Sequence, residues 1–143
     1  MAEPRVPTFF YGSFINLEVL REQGVRPDPV EVAVLHGFEI RIEPLANLAR
    51  SGRHRVYGIV AGVTHDELGR LYQYATDCLG GVYLPEAVLV EAGDAKWLPA
   101  LCYIAPVLEP KPASNDYIDR IAQPARSYGF PAWYIERLES FRP

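Results

Sequence analysis

The stretch Phe9-Phe10-Tyr11-Gly12-Ser13-Phe14 is where this sequence concentrates residue types that can hold a ligand. An apolar strand delivers a glycine and a hydroxyl directly ahead of a helix, and each part has a use. Gly12 permits a left-handed or closely packed backbone, successive N–H groups can converge into a nest, and a following helix adds its positive end. The chemistry this favours is binding of an anionic or strongly polar small group. Ser13 is read as a hydrogen-bonding turn residue and not as a nucleophile, because no histidine and carboxylate stand at interpretable positions beside it. His36, His54 and His65 are scattered, and Cys78 and Cys102 lie too far apart for a zinc pattern, so neither a metal nor a cofactor is expected. No glycine-rich phosphate loop, Gly-x-Ser-x-Gly elbow or His-Glu-x-x-His pair occurs.

The elements that must position this loop are read from periodicity and punctuation. Val6 to Tyr11 is β-branched and aromatic and ends at Gly12-Ser13, a buried strand running into a turn. Asn16 caps a short helix with Leu17 and Leu20 on one side, and Gly24 stops it. Val30, Val32 and Val34 form one strand, and Phe38, Ile40 and Ile42 a second after the His36-Gly37 break. Val56 to Ala61 is apolar on both faces, so it is central in its sheet or barrel. Thr64-His65-Asp66-Glu67 has the form of a capping box, which starts a helix with Leu68, Leu71, Tyr72 and Ala75 inward. Gly80-Gly81 ends that region. Glu86 to Val90 and Leu98 to Ala105 are two more strands, joined by the acidic turn Glu91-Ala92-Gly93-Asp94. Ser114 caps a helix that Pro124 is expected to kink or interrupt, and a last helix begins near Pro131.

Composition bounds the rest. The chain has 143 residues, 49% apolar and 22% charged, which predicts a single domain over 1–143 with one core. Its net charge of −4 gives no general attraction for nucleic acid. The basic run Arg50-Ser51-Gly52-Arg53-His54-Arg55 reads as a solvated turn. No apolar stretch is long enough to span a membrane, and two lone cysteines without a secretory leader point to the cytoplasm.

Tyr11-Gly12-Ser13, Ala46-Asn47-Leu48 ahead of Val56-Tyr57-Gly58-Ile59-Val60, and Tyr128-Gly129-Phe130-Pro131-Ala132-Trp133-Tyr134 occur in an order and spacing that resembles the γ-glutamylcyclotransferase-like (AIG2-like) superfamily. The resemblance implies an α+β fold, a five- or six-stranded mixed β-barrel with surrounding helices. It implies cyclisation of a γ-glutamyl compound, in which the α-amine attacks the γ-carbonyl, the bond to the attached amine or amino acid breaks, and that group and 5-oxoproline are released. It also implies that Tyr11, Gly12, Ser13 and Phe14 hold the glutamyl end, with Tyr83 and Tyr117 near it. Such chemistry needs a base for the ammonium and an acid for the departing nitrogen. The family places a Glu four residues after a helical Leu. Here that Leu is Leu71, and Ala75 stands in the place of the Glu.

Two carboxylates remain as substitutes. Glu86 is preferred as the catalytic base because strand alternation sets it on the face of Val88 and Val90, whereas Asp77 falls in an exposed turn. Two functions follow from these residues: a cyclotransferase acting on a γ-glutamyl amine or amide with a relocated base, or a divergent member that binds a small acid or amide without turnover. A third is a protein-interaction domain using the final helix with Trp133 and Phe141. Oligomeric state is left open.

Overall fold

The computed structural model describes residues 3–93 and 95–143; Met1, Ala2 and Asp94, the last residue of the expected acidic turn, lie outside the described residues. In chain order, β1 (Val6–Phe10) leads through a short 3₁₀ turn (Ser13–Ile15) to α1 (Leu17–Glu22). Two long strands follow, β2 (Val30–Ile42) and β3 (Ala46–Val63), then α2 (His65–Tyr74), which runs into a π-helical turn (Ala75–Leu79). The chain continues with β4 (Leu84–Ala92), β5 (Lys96–Ile104), α3 (Asn115–Ser127) and α4 (Ala132–Glu139). The strands close a barrel in the order β1-β3-β2-β4-β5. All neighbours are antiparallel except β1 and β5, whose parallel pairing at Thr8–Leu101 and Phe9–Cys102 completes the ring. The mixed α+β barrel is thus the architecture of this chain.

Where two strands were expected between Val30 and Ile42, one bent strand runs through. Gly37 takes φ +87° and the register against β3 shifts between His36 and Phe38. The extra residue reverses which parity faces inward: Ala33 and Leu35 are buried before it, Phe38, Ile40 and Ile42 after it. The basic run is likewise no turn. It stays extended within β3, opposite the bend in β2, with Arg50 paired to Glu86 and the Arg55 guanidinium over the Tyr57 and Trp133 rings.

The helix starts form as expected. Thr64 accepts from the Glu67 N–H while Glu67 accepts from the Thr64 N–H, a complete capping box. Pro124, however, does not interrupt α3, which is continuous from Asn115 to Ser127. A proline there lacks the N–H that would bond the Arg120 carbonyl four residues earlier. The Asn16 side-chain amide donates to that carbonyl at 3.2 Å while its oxygen caps α1 by accepting from Glu18 N–H at 3.0 Å. α4 seats on β3 at Tyr57, whose ring meets Trp133, Tyr134 and the preceding Phe130, while α3 reaches the start of β3 through the Tyr117–Ala46 hydrogen bond.

Candidate functional site

A cavity of about 40 Å³ lies where the end of β1 meets the start of β3 and the end of α2. Its floor is Phe9 to Phe14, the segment singled out above. Gly12 contributes by closeness, not by a left-handed backbone. Its φ is −103°, and a Cβ built there would stand 2.8 Å from the Ala46 Cβ and 3.5 Å from the Tyr117 hydroxyl. Any side chain at this position would push β3 and Tyr117 away from the loop.

The walls come from elements far apart in sequence. α2 and its π turn supply Tyr72, Ala75 and Leu79, and the segments after them supply Tyr83, Tyr103 and Tyr117. Tyr72 stacks on Tyr103 with ring centroids 3.6 Å apart, and Phe14 meets Tyr72 edge-on at 6.0 Å. A π turn widens the helix by one residue per turn and recurs at functional sites; here it sets both Ala75 and Leu79 against the cavity.

The hydroxyls divide by what they do with their protons. Tyr11 donates to the Tyr103 carbonyl at 2.6 Å, and Tyr83 donates to the Ala46 carbonyl at 2.5 Å, so both are spent on backbone. Tyr117 is oriented the other way: its oxygen accepts from the Ala46 N–H at 2.9 Å. Burial raises the ionisation of Tyr117 to about 12, and hydrogen bonding from Ala46 and from the Ser13 side chain and backbone opposes that rise. Burial also lifts Tyr83, and lifts Tyr11 and Tyr72 well above the ordinary phenol value, with the neighbouring phenols and Cys102 adding to it. The cavity therefore presents neutral phenols at physiological pH.

No Asp, Glu, His, Lys or Arg lines the cavity among the described residues. Ala75, where the resemblance calls for a Glu, is 2% exposed and faces it. Of the expected site residues, the structure gathers Tyr11, Gly12, Ser13, Phe14, Tyr83 and Tyr117 around one space. Glu86 stands outside its lining. It lies opposite buried Cys102 on β5, and its carboxylate pairs with Arg50. Burial, and then the nearby Glu86 charge, push the Cys102 thiol up to about 12. Asp77 also stands outside the lining, exposed on the π turn and accepting from the Gln73 amide at 2.7 Å. The sequence gives no lining role to Tyr72, Tyr103, Leu79 or Ala46. Tyr72 falls on the inward stripe of its helix, and Ala46 lies in one of the motifs that carry the resemblance.

Comparison with known proteins gives the site a context. A family model described as gamma-glutamyl cyclotransferase, AIG2-like, matches residues 8–121. No curated protein matches the chain. Among solved structures, a gamma-glutamyl cyclotransferase superposes with a TM-score of 0.80 at 23% identity, over 97% of this chain and 89% of its own. An uncharacterized protein from Homo sapiens superposes at 0.81 and 23%, over 99% and 90%. A yeast gamma glutamyl cyclotransferase specific to glutathione does so at 0.66 and 13%, over 98% of each chain. At these identities the structures speak for the fold alone. The family match spans most of the chain, from the end of β1 and the loop through the barrel strands to the first half of α3, so the chain belongs to the gamma-glutamyl cyclotransferase, AIG2-like family.

Proposed function

We propose that this chain is a divergent family member that binds the end of a small acid or amide in the cavity above Tyr11–Phe14, without the carboxylate base that cyclisation needs. The observation that carries the reading is Ala75 on the cavity wall with no carboxylate among the described lining residues. A space of about 40 Å³ admits one or two water-sized groups, which suits a single carboxylate or carboxamide end with the rest of the ligand projecting outward. Tyr117 is the natural contact, because its oxygen accepts from Ala46 and its proton points to no backbone carbonyl among the described hydrogen bonds. A phenol polarised in this way donates well to a ligand oxygen.

A second reading keeps turnover, with Glu86 as the base of a γ-glutamyl amine or amide cyclisation. Its support is that Glu86 stands opposite buried Cys102, on the inward side of β4. Against it, the Arg50 guanidinium holds the carboxylate, and Glu86 is not among the residues that line the cavity. Calorimetric titration with γ-glutamyl amides, run beside an assay for 5-oxoproline, separates the two. Binding without 5-oxoproline is expected. Release that disappears in Glu86→Gln would replace the first reading with the second, and absence of any binding would remove both.

A further inference from the structure

Tyr72 brings a hydroxyl to the cavity that the fold does not use. Its ring is held firmly, stacked on Tyr103 at 3.6 Å and met edge-on by Phe14. Its phenol oxygen has no protein partner among the described hydrogen bonds. No fully buried side-chain oxygen or nitrogen among the described residues lacks a partner, so this oxygen opens on a space that a small group can reach. Burial nevertheless raises its ionisation well above the ordinary phenol value, with Tyr103, the Cys102 thiol and Tyr83 adding to the rise. Cys102 is sealed inside the barrel at 0% exposure, so the hydroxyl is directed inward, and the space beside it is the cavity that Tyr72 lines.

The neighbouring phenols differ in what they can offer a ligand. Tyr117 accepts from the Ala46 N–H and has a proton to give. Tyr11 gives its proton to the Tyr103 carbonyl at 2.6 Å, so it has only a lone pair left to offer. Tyr72 can give or accept. Tyr72 and Tyr117 are both among the groups that push Tyr11 upward, which makes the three hydroxyls neighbours. One donor, one acceptor and one hydroxyl that serves as either match a primary carboxamide, whose oxygen accepts and whose nitrogen carries two protons. A carboxylate matches poorly. It only accepts, so the Tyr11 lone pair repels it, and its charge meets Phe9, Phe10 and Phe14 with no cation among the described lining residues. The Ser13–Ile15 turn does not replace that cation, because three residues sum few peptide dipoles.

We infer that the group this cavity takes is a neutral primary carboxamide and not a carboxylate, with Tyr117 donating to its oxygen and Tyr72 accepting from its nitrogen; this rests on the binding reading proposed above. The test is a chemical-shift titration of the isotope-labelled full chain at neutral pH with three ligands of one size. These are butyramide, butyrate and methyl propyl ketone, which carries a methyl where the amide carries its nitrogen. Butyramide should shift the Gly12, Ser13 and Ala46 signals and bind at least about tenfold more tightly than butyrate. The ketone should bind several-fold more weakly than butyramide, because it brings no N–H. Tyr72→Phe keeps the ring on Tyr103 and removes an oxygen without a protein partner, so its melting temperature should stay near wild type. It should weaken butyramide several-fold and leave the ketone unchanged. Equal weakening of both ligands would mean a structural effect and overturns the assignment of Tyr72. Butyrate bound as tightly as butyramide by the wild type, a comparison that needs no variant, overturns the inference while leaving a binding pocket in place. No saturable shift with any of the three also overturns it, and the γ-glutamyl amide titration then decides the broader reading on its own.

Discussion

Ala75 is 2% exposed and meets a cavity walled by neutral phenols, so Ala75→Glu places a carboxylate among Tyr72, Tyr83 and Tyr117. The larger side chain should cost about 1–3 kcal/mol of stability through overpacking. If the missing base is what separates this chain from a cyclotransferase, the variant should gain 5-oxoproline release from γ-glutamyl amides over wild type. A folded variant with no gain would locate the divergence elsewhere in the pocket. The tyrosines make a matched pair of controls. Tyr83→Phe removes a donation to the Ala46 carbonyl and should lower stability by about 1 kcal/mol with little change in ligand affinity. Tyr117→Phe leaves the Ala46 N–H unpaired, at about 1–3 kcal/mol, and should also weaken ligand binding several-fold in calorimetry. Equal affinity in the two variants would remove Tyr117 as a contact. The floor of this site was legible because strand, glycine and hydroxyl are contiguous. The walls were not, because Tyr72 and Tyr103 stack only after the helix and β5 are brought together by barrel closure, which no local pattern records.

Asn16 shows how one side chain can join two elements. Its oxygen caps α1, and its amide nitrogen satisfies the Arg120 carbonyl that Pro124 leaves without a partner in α3. The two functions can be separated by substitution. Asn16→Asp keeps the capping oxygen, loses the donor and sets a carboxylate against a carbonyl. Asn16→Ala loses both. Urea denaturation should show Asn16→Ala destabilised by about 1–2 kcal/mol, the usual range for a lost cap with a lost hydrogen bond. Asn16→Asp should be destabilised too, though the cap is intact. An Asn16→Asp variant as stable as wild type would show that the link to α3 contributes nothing. This explains why the expected break at Pro124 does not occur: the sequence marks the missing N–H, but the compensating donor, Asn16, sits 104 positions from the Arg120 carbonyl it satisfies. The bend in β2 has a similar origin. Gly37 was visible as a break in the period, but whether a break ends a strand or reverses its inward face depends on the partner strand's register. The capping box at Thr64 was legible throughout because both of its bonds lie within four residues.

Across the molecule, acid stability rests on carboxylates that tie separate elements together. Glu139 on α4 accepts from Arg126 on α3 and from Arg142, which also reaches Asp119 on α3. Hydrogen bonding from Arg142, with that from Arg126 and the charges of both, lowers Glu139 to about 2 although its partial burial acts the other way. Burial would raise Glu67, but the Thr64 and Arg26 N–H groups, the Thr64 hydroxyl and the Arg5 charge outweigh it and leave the carboxyl below its ordinary value. Both groups bind protons less readily when folded than when unfolded. Their contribution is therefore complete above the unfolded carboxylate value of about 4.3 and is lost as pH falls through the folded values, for Glu139 down to about 2. Urea midpoints measured at successive pH should stay level on this account just above that window and fall within it. Glu139→Gln should be less stable than wild type at neutral pH yet lose less on acidification, so the two curves converge towards pH 2. Parallel curves would mean that the α3–α4 ion network does not set the acid limit, leaving Glu67 and its hold on the start of α2 as the group to substitute next.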